Sequence, residues 1–280
     1  MEYYHSIIGL PRSGKTTFLA ALWHLIEADE VDTHLVLDKL EGDSRYLNSI
    51  SSAWRECKPV TRTSQGGEVG VKIHAKFSST EQRIILGFPD LSGESFERQF
   101  ATRQVRPEYV DGFSQDGGVI VFVSANRSVD GLTIADLGCE ILQESPADIG
   151  SPDPIVTWKH EMVPQQVQLV DILQMLQRGP FNLQRRKLAL VVSAWDVISD
   201  STLSPAEWLA REMPFLNQFL THNPNSFEFK VWGVSAQGGD ISGGLRTKLL
   251  SLTPSQRLRC VGDSGENHDI TTPIFWLSEA

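Results

Sequence analysis

The chain has 280 residues, with 25 Lys and Arg against 35 Asp and Glu and a formal net charge of −10, which excludes a general nucleic-acid binder because phosphate contacts need a basic face. Hydrophobic residues make up 40% and glycines number 22, the composition of a globular protein and not of a disordered one. Scattered Cys57, Cys139 and Cys260 without a CxxC pair exclude zinc ribbons and disulfide scaffolds, and the lack of a leader-like start or of a run near the roughly 20 apolar residues of a membrane span predicts a cytoplasmic protein.

The first predicted strand is Glu2 to Ile8, rich in Tyr and Ile and ended by Gly9. A helix follows from Gly14 to Ala28, with Phe18, Ala21, Leu22 and Leu25 at i, i+3, i+4 and i+7. Residues 29–68 are polar and poorly periodic. Val69 to Phe77 alternates, and with Ile84 to Phe88 it predicts an antiparallel hairpin. Val119 to Val123 is wholly apolar, as in a buried parallel strand. Prolines 146, 152 and 154 break any long element between 127 and 162. A helix then runs from Pro164 to Gln177, and Leu188 to Val192 is the next buried strand. Ser204-Pro205-Ala206-Glu207 has the form of a capping box opening a helix, and Pro214 ends that helix and begins another. Phe229 to Val234 is the last predicted strand. Alternating strands and helices predict one α/β domain over 1–280, its sheet covered by helices on both faces, with insertions near 29–60 and 127–162.

Gly9-Leu10-Pro11-Arg12-Ser13-Gly14-Lys15-Thr16 fits G-x-x-x-x-G-K-[ST], the Walker A loop. A chance match somewhere in such a chain is about one in a hundred, and this one stands between a strand and a helix, where the loop belongs. The glycines let backbone N–H groups turn in around phosphates, and the helix N-terminus adds its positive dipole end. Lys15 then reaches the β- and γ-phosphates, and the Thr16 hydroxyl suits Mg²⁺. Asp90-Leu91-Ser92-Gly93 follows the second hairpin strand, where a carboxylate can hold the hydration shell of Mg²⁺ and Gly93 N–H can meet a γ-phosphate. Alone, D-x-x-G is common in surface turns; its order after a phosphate loop and a hairpin gives it meaning. Ser193-Ala194-Trp195-Asp196 and Ser235-Ala236-Gln237 close the last two predicted strands.

Taken together, the phosphate loop, D-x-x-G, strand-ending x-x-x-D and strand-ending S-A-x resemble a Ras-like P-loop GTPase of the translation-factor-related class. The stretches Ile7 to Pro11, Leu22 to Leu25, Gln166 to Val170 and Asp269 to Ile274 resemble the bacterial double-GTPase families, which are proposed to act in conflict (anti-phage) gene clusters beside a second GTPase. The resemblance covers nearly the whole chain. It implies a mostly parallel six-stranded sheet with one antiparallel edge strand, and a Mg²⁺-dependent GTP/GDP switch that works with a protein partner, a second GTPase or an effector.

The nucleotide-binding set it implies is Gly9, Arg12, Ser13, Gly14, Lys15, Thr16, Thr17 and Gly93 for the phosphates. Asp196 matches the aspartate that accepts from guanine N1–H and the 2-amino group, and Ser235 and Ala236 match the loop that touches guanine O6. Either Thr61 or Thr63 is the switch threonine that joins Thr16 and Asp90 at the metal. Two departures stand out. The usual N-K-x-D reads S-A-W-D, so Ala194 replaces the lysine whose stem covers the base. Glu94 replaces the glutamine that often orients water, and a carboxylate there cannot donate and is repelled by a γ-phosphate. Slow hydrolysis follows, with Arg62, or else Arg12, as an in-chain arginine finger that compensates for Glu94. An ATPase or phosphotransferase on the same loop, and a nucleotide-bound scaffold without useful turnover, are the alternatives.

Overall fold

The computed structural model describes residues 2–39, 44–60, 70–126, 162–198 and 202–279. Its centre is a sheet of five parallel strands: β1 (Glu2–Gly9), β4 (Arg83–Phe88), β5 (Val119–Ser124), β6 (Arg186–Ser193) and β7 (Phe227–Ser235). Each side is extended by two antiparallel strands. On one side lie β3 (Val71–Phe77) and β2 (Leu35–Lys39), on the other β8 (Arg259–Gly262) and β9 (Gly265–Asn267). The order is β2-β3-β4-β1-β5-β6-β7-β8-β9.

The sheet therefore has nine strands, not six, and its antiparallel pairing is not confined to one edge strand. The six expected strands and the β3–β4 hairpin are all present. The three additions are short: β2 has five residues and β8 four, at the lower end of the length over which a period of two can be recognised, and β9 has three, below it. The polar segment 29–60 also holds a helix, α2 (Arg45–Arg55), which buries Leu47, Ile50, Ser51 and Trp54 at i, i+3, i+4 and i+7. With a serine among its four buried positions, that stripe carries a weak apolar signal.

Helices cover both faces, as the pattern of alternating elements requires. One face packs α1 (Lys15–Ala28), α2 and the closing α9 (Thr272–Ser278, preceded by the short α8, Leu245–Leu250) against Ile7, Ile120 and Val191. The opposite face packs α3 (Glu94–Thr102), α4 (Pro107–Phe113), α5 (Gln165–Met175), α6 (Pro205–Glu212) and α7 (Pro214–His222) against Ile8, Val121 and Leu190. Burial on both faces is why β5 reads as an unbroken apolar run. The Ser204 capping box is formed in full, with Ser204 Oγ accepting from Glu207 N–H and Glu207 Oε2 from Ser204 N–H.

The closing motif is a tether. Asp269 Oδ1 accepts from Thr271 N–H at 2.8 Å, ordering the turn into α9, while its Oδ2 accepts from His34 N–H at 3.0 Å just before β2. Register then fixes the site. Gly9 pairs with Phe122, Ser124 with Ser193 and Ser193 with Val234, so the carboxyl ends of β1, β5, β6 and β7 lie side by side. Ligands of open α/β sheets bind at this end of the strands.

Candidate nucleotide-binding site

The phosphate loop turns from β1 into α1 through Gly14, at φ 90°, the last residue before the helix. Lys15 is buried, and its Nζ donates to the carbonyls of Gly9 (2.6 Å) and Leu10 (3.0 Å) and to Ser13 Oγ (3.3 Å). Burial lowers its pKa to about 8, against the opposing pull of Asp90 and Glu97. A cation held this close to its own loop is already positioned where phosphate oxygens would replace the carbonyls.

Asp90 is buried beside this lysine. Its Oδ1 accepts from Ser92 N–H (2.8 Å) and Ser92 Oγ (2.6 Å), and its Oδ2 from Ser95 N–H (2.7 Å). Burial opposes its ionisation, but the bonds from Ser92 and Ser95 prevail and hold the carboxyl below the usual range. Asp90 thus organises the start of α3 as well as carrying charge, a role the spacing alone does not reveal. Gly93 sits at φ 85°, and a Cβ there would lie 2.5 Å from Pro11 N and 2.8 Å from Gly9 O, so the D-x-x-G turn is pressed onto the phosphate loop. Glu94 opens α3 and is exposed. Thr61, Arg62 and Thr63 lie outside the described residues.

A cleft of about 540 Å³ runs from Arg12, Gly14 and Thr17 to Asp196 and Ala236. Ser193 joins its two ends, donating through Oγ to Ser13 O at 2.8 Å with its Cβ packed against Gly14. That bond ties the turn after β6 to the phosphate loop. Ala194 adopts a left-handed conformation at φ 53°, and Trp195 is buried beneath β7, leaving no room for a Cβ at Gly233. The tryptophan anchors the turn that presents Asp196. Ser235 Oγ donates to Asp196 Oδ1 and accepts from Gly238 N–H (3.1 Å), so the turn at Asp196 and the loop after β7 are one hydrogen-bonded unit.

The family model for Double-GTPase 1 matches residues 6–277. The chain belongs to that family. None of the curated proteins matches this double-GTPase chain by sequence. Among solved structures it is similar to the small GTPase Arl6 (BBS3) of Trypanosoma brucei with a bound nucleotide analogue, at 13% identity over 92% of this chain and 99% of that one, with a TM-score of 0.39. It is also similar to the GTP-bound GTPase-like domain of Ski7 from S. cerevisiae (13% identity, TM-score 0.44) and to a bacterial selenocysteine-specific elongation factor (14%, TM-score 0.39). It spans 44% of the Ski7 chain and 30% of the elongation factor chain.

In this double-GTPase chain the structure brings together Gly9, Ser13, Gly14, Lys15, Asp90 and Gly93 at one end, and Asp196, Ser235 and Ala236 at the other. Arg12, exposed and at φ 63°, lines the cleft with Thr17, while Thr16 stands in the first turn of α1. Sequence reasoning missed Asn126, Val197 and Ile241, which also line the cleft. Val197 and Ile241 supply apolar surface where Ala194 cannot, and only their position after strand ends could have marked them.

Proposed function

We propose that this chain binds GTP and GDP with Mg²⁺ across the cleft and works, as one GTPase domain, as a slowly hydrolysing cytoplasmic switch. One observation carries the reading: the lysine-bearing phosphate loop and the Asp196–Ser235 pair open on the same cleft, held in fixed relation by the Ser193–Ser13 bond. The two Asp196 oxygens suit guanine N1–H and the 2-amino group, a donor pair adenine does not offer.

Mg²⁺ fits the donors present. The Thr16 hydroxyl and Asp90 carboxylate are hard oxygen ligands of the kind Mg²⁺ takes, directly or through its water shell. No cluster of three or more His, Cys, Asp or Glu side chains suited to a metal is present among the described residues. When bound, Mg²⁺ supplies neutralising charge to the phosphates. Lys15 binds the β- and γ-phosphates, Gly93 N–H senses the γ-phosphate, and the Ser92–Asp90–Ser95 bonds hold the turn that carries Gly93 in place.

Exposed Glu94 supports slow turnover, because it brings negative charge and no donor to the γ-phosphate side of the site. Arg62 is the proposed compensating finger, with Thr61 or Thr63 as the switch threonine. A protein partner, a second GTPase or an effector, and a role in a bacterial conflict system rest on the family-level resemblance.

Calorimetric titration with GTP, GDP and ATP, followed by single-turnover phosphate release, tests the whole reading. Tight GTP binding, weak ATP binding and slow release are expected; equal affinity for ATP and GTP returns the site to the ATPase alternative, and tight binding without release leaves a scaffold. In the same assay Glu94→Gln should hold or raise the rate and Arg62→Ala should lower it about tenfold or more. An unchanged Arg62→Ala rate moves the finger to another chain.

A further inference from the structure

Trp54 sits in the last turn of α2, wholly buried, far in sequence from both nucleotide-reading strand ends. Its indole Nε1–H donates to the carbonyl of Ala236 at 2.6 Å. The Arg257 guanidinium lies over the Trp54 ring, 4.7 Å from its centroid, and donates to the Arg55 carbonyl at 3.2 Å. The base loop leans on the same arginine, since a Cβ on Gly238 would lie 2.6 Å from Arg257 O. Arg246 adds bonds of 3.1 Å to the carbonyls of Glu56 and Cys57. The end of α2 is therefore clamped to the segment that follows β7, and among these contacts the hydrogen bond from Trp54 reaches the base loop itself.

We infer that Trp54 is a positioning residue for recognition of the purine 6-oxo group, acting through Ala236; this rests on the guanine reading given above. In a trans peptide the Ala236 carbonyl and the Gln237 N–H point in opposite directions. Fixing the carbonyl on the indole thus aims the Gln237 N–H away from Trp54. Ala236 and Gln237 line the cleft, and Trp54 does not. The preceding residue, Ser235, is held through its hydroxyl by the bonds to Asp196 and Gly238. Both flanks of Ala236 are pinned, so its loop meets an oxygen acceptor with N–H groups already oriented. The 2-amino group is left to Asp196. Two edges of one base are read by two separately supported devices.

The two devices are separable with two GTP analogues. In 6-thio-GTP only the 6-oxygen changes, to a weaker sulfur acceptor; in ITP only the 2-amino group is lost. Trp54→Phe keeps an aromatic ring for Arg257 but removes the donor. Dissociation constants for GTP, 6-thio-GTP and ITP, measured on the full chain, are expected to show about a fivefold loss for GTP, the factor one neutral hydrogen bond is worth. The wild-type preference for GTP over 6-thio-GTP should shrink towards unity while the GTP-to-ITP ratio stays at its wild-type value. Trp54→His, which keeps a ring N–H, should recover part of the lost preference.

Equal weakening of all three nucleotides in Trp54→Phe would make the residue purely structural and overturn the inference. Should Trp54→Phe not fold, the indole N–H resonance of Trp54 in the wild-type protein provides the measurement. It should move alike with GTP and ITP and differently with 6-thio-GTP; the same movement with all three overturns the inference. A wild-type protein that binds ATP as tightly as GTP overturns the guanine reading and this inference together. A wild type that prefers GTP, with unchanged ratios in Trp54→Phe, overturns the inference alone.

Discussion

At the phosphate end of the cleft, Gly9 to Thr17 is one continuous stretch, and the turn from Asp90 to Gly93 is pressed directly onto it. At the base end, Asp196, Ser235 and Ala236 come from two strand ends; Ser235 bonds Asp196, and Ala236 is braced by Trp54 from α2, a helix that carries none of the motifs of the site. On the proposed reading, the phosphate end would work mainly through backbone N–H groups and one lysine. The base end would work through Asp196 and the Ala236 loop, which other side chains hold in place. It carries Ser193 and Ala194 where N-K-x-D has asparagine and lysine, and Ser193 Oγ ties it to the phosphate loop. One end is built on local backbone geometry and the other on long-range support.

Breaking the phosphate end should have the largest effect. Lys15→Met keeps the length of the side chain and removes its charge, so triphosphate affinity should fall by roughly a thousandfold or more, the scale of losing a charge-assisted clamp in a partly dry site. The fold should survive, because a buried cation carries a desolvation cost that methionine does not. Calorimetric titration with GTP, beside a thermal melt of the nucleotide-free protein, reads both effects. A variant that still binds GTP normally would remove Lys15 from the phosphates.

The base end should yield next. Asp196→Asn exchanges one acceptor for a donor, at a cost to GTP of roughly 2–4 kcal/mol, and should favour xanthosine triphosphate, whose 2-oxo group accepts. Competition between the two nucleotides measures the switch. If Asp196→Asn leaves the preference for GTP intact, Asp196 is the turn residue its strand-end position also allows.

How far each end could be read from sequence follows from how each is built. Gly9, Gly14, Lys15 and Thr16 are legible because their spacing is their function, and Asp90 and Gly93 because they follow a hairpin that alternation reveals. Asp196 and Ser235 are legible only through the resemblance, since a strand-ending Asp or Ser carries little information by itself. Trp54 is invisible: α2 lies in a stretch read as aperiodic, and the partner of its indole is 182 residues away. The wider sheet escaped for a similar reason. β8 and β9 have no pattern of their own and exist because β7 offers an edge to pair with.

A third test sharpens the contrast by using pH on the phosphate end alone. The unfolded chain holds the Lys15 proton up to the ordinary value of 10.5, whereas the folded protein releases it near a pKa of about 8. Between these values unfolding takes up a proton, so the Lys15 contribution makes stability rise with pH, by about 3 kcal/mol at most across the window. Below pH 8 the lysine is charged in both states and its full cost is present. Denaturant unfolding of wild type and Lys15→Met at pH 7, 9 and 10.5 isolates the contribution as the difference between them. The gap in favour of the variant should close as pH rises, while Asp196→Asn should follow wild type throughout.

The smallest expected effect is the most informative about the division itself, because Ser193 belongs to both ends. Its hydroxyl donates to Ser13 O at 2.8 Å, and its Cβ packs against Gly14, yet it stands in the base-reading turn. Ser193→Ala keeps the Cβ and removes only the hydrogen bond, so stability should drop by about 1 kcal/mol. If the bond is a tie and not a base contact, GTP and ATP should weaken by the same small factor, about two- to fivefold, as the phosphate loop loses part of its preorganisation. The GTP-to-ATP ratio is then the decisive quantity. A ratio that holds keeps base reading with Asp196 and the loop at Ala236. A ratio that falls would place Ser193 against the base, and the two ends of the cleft would be one device.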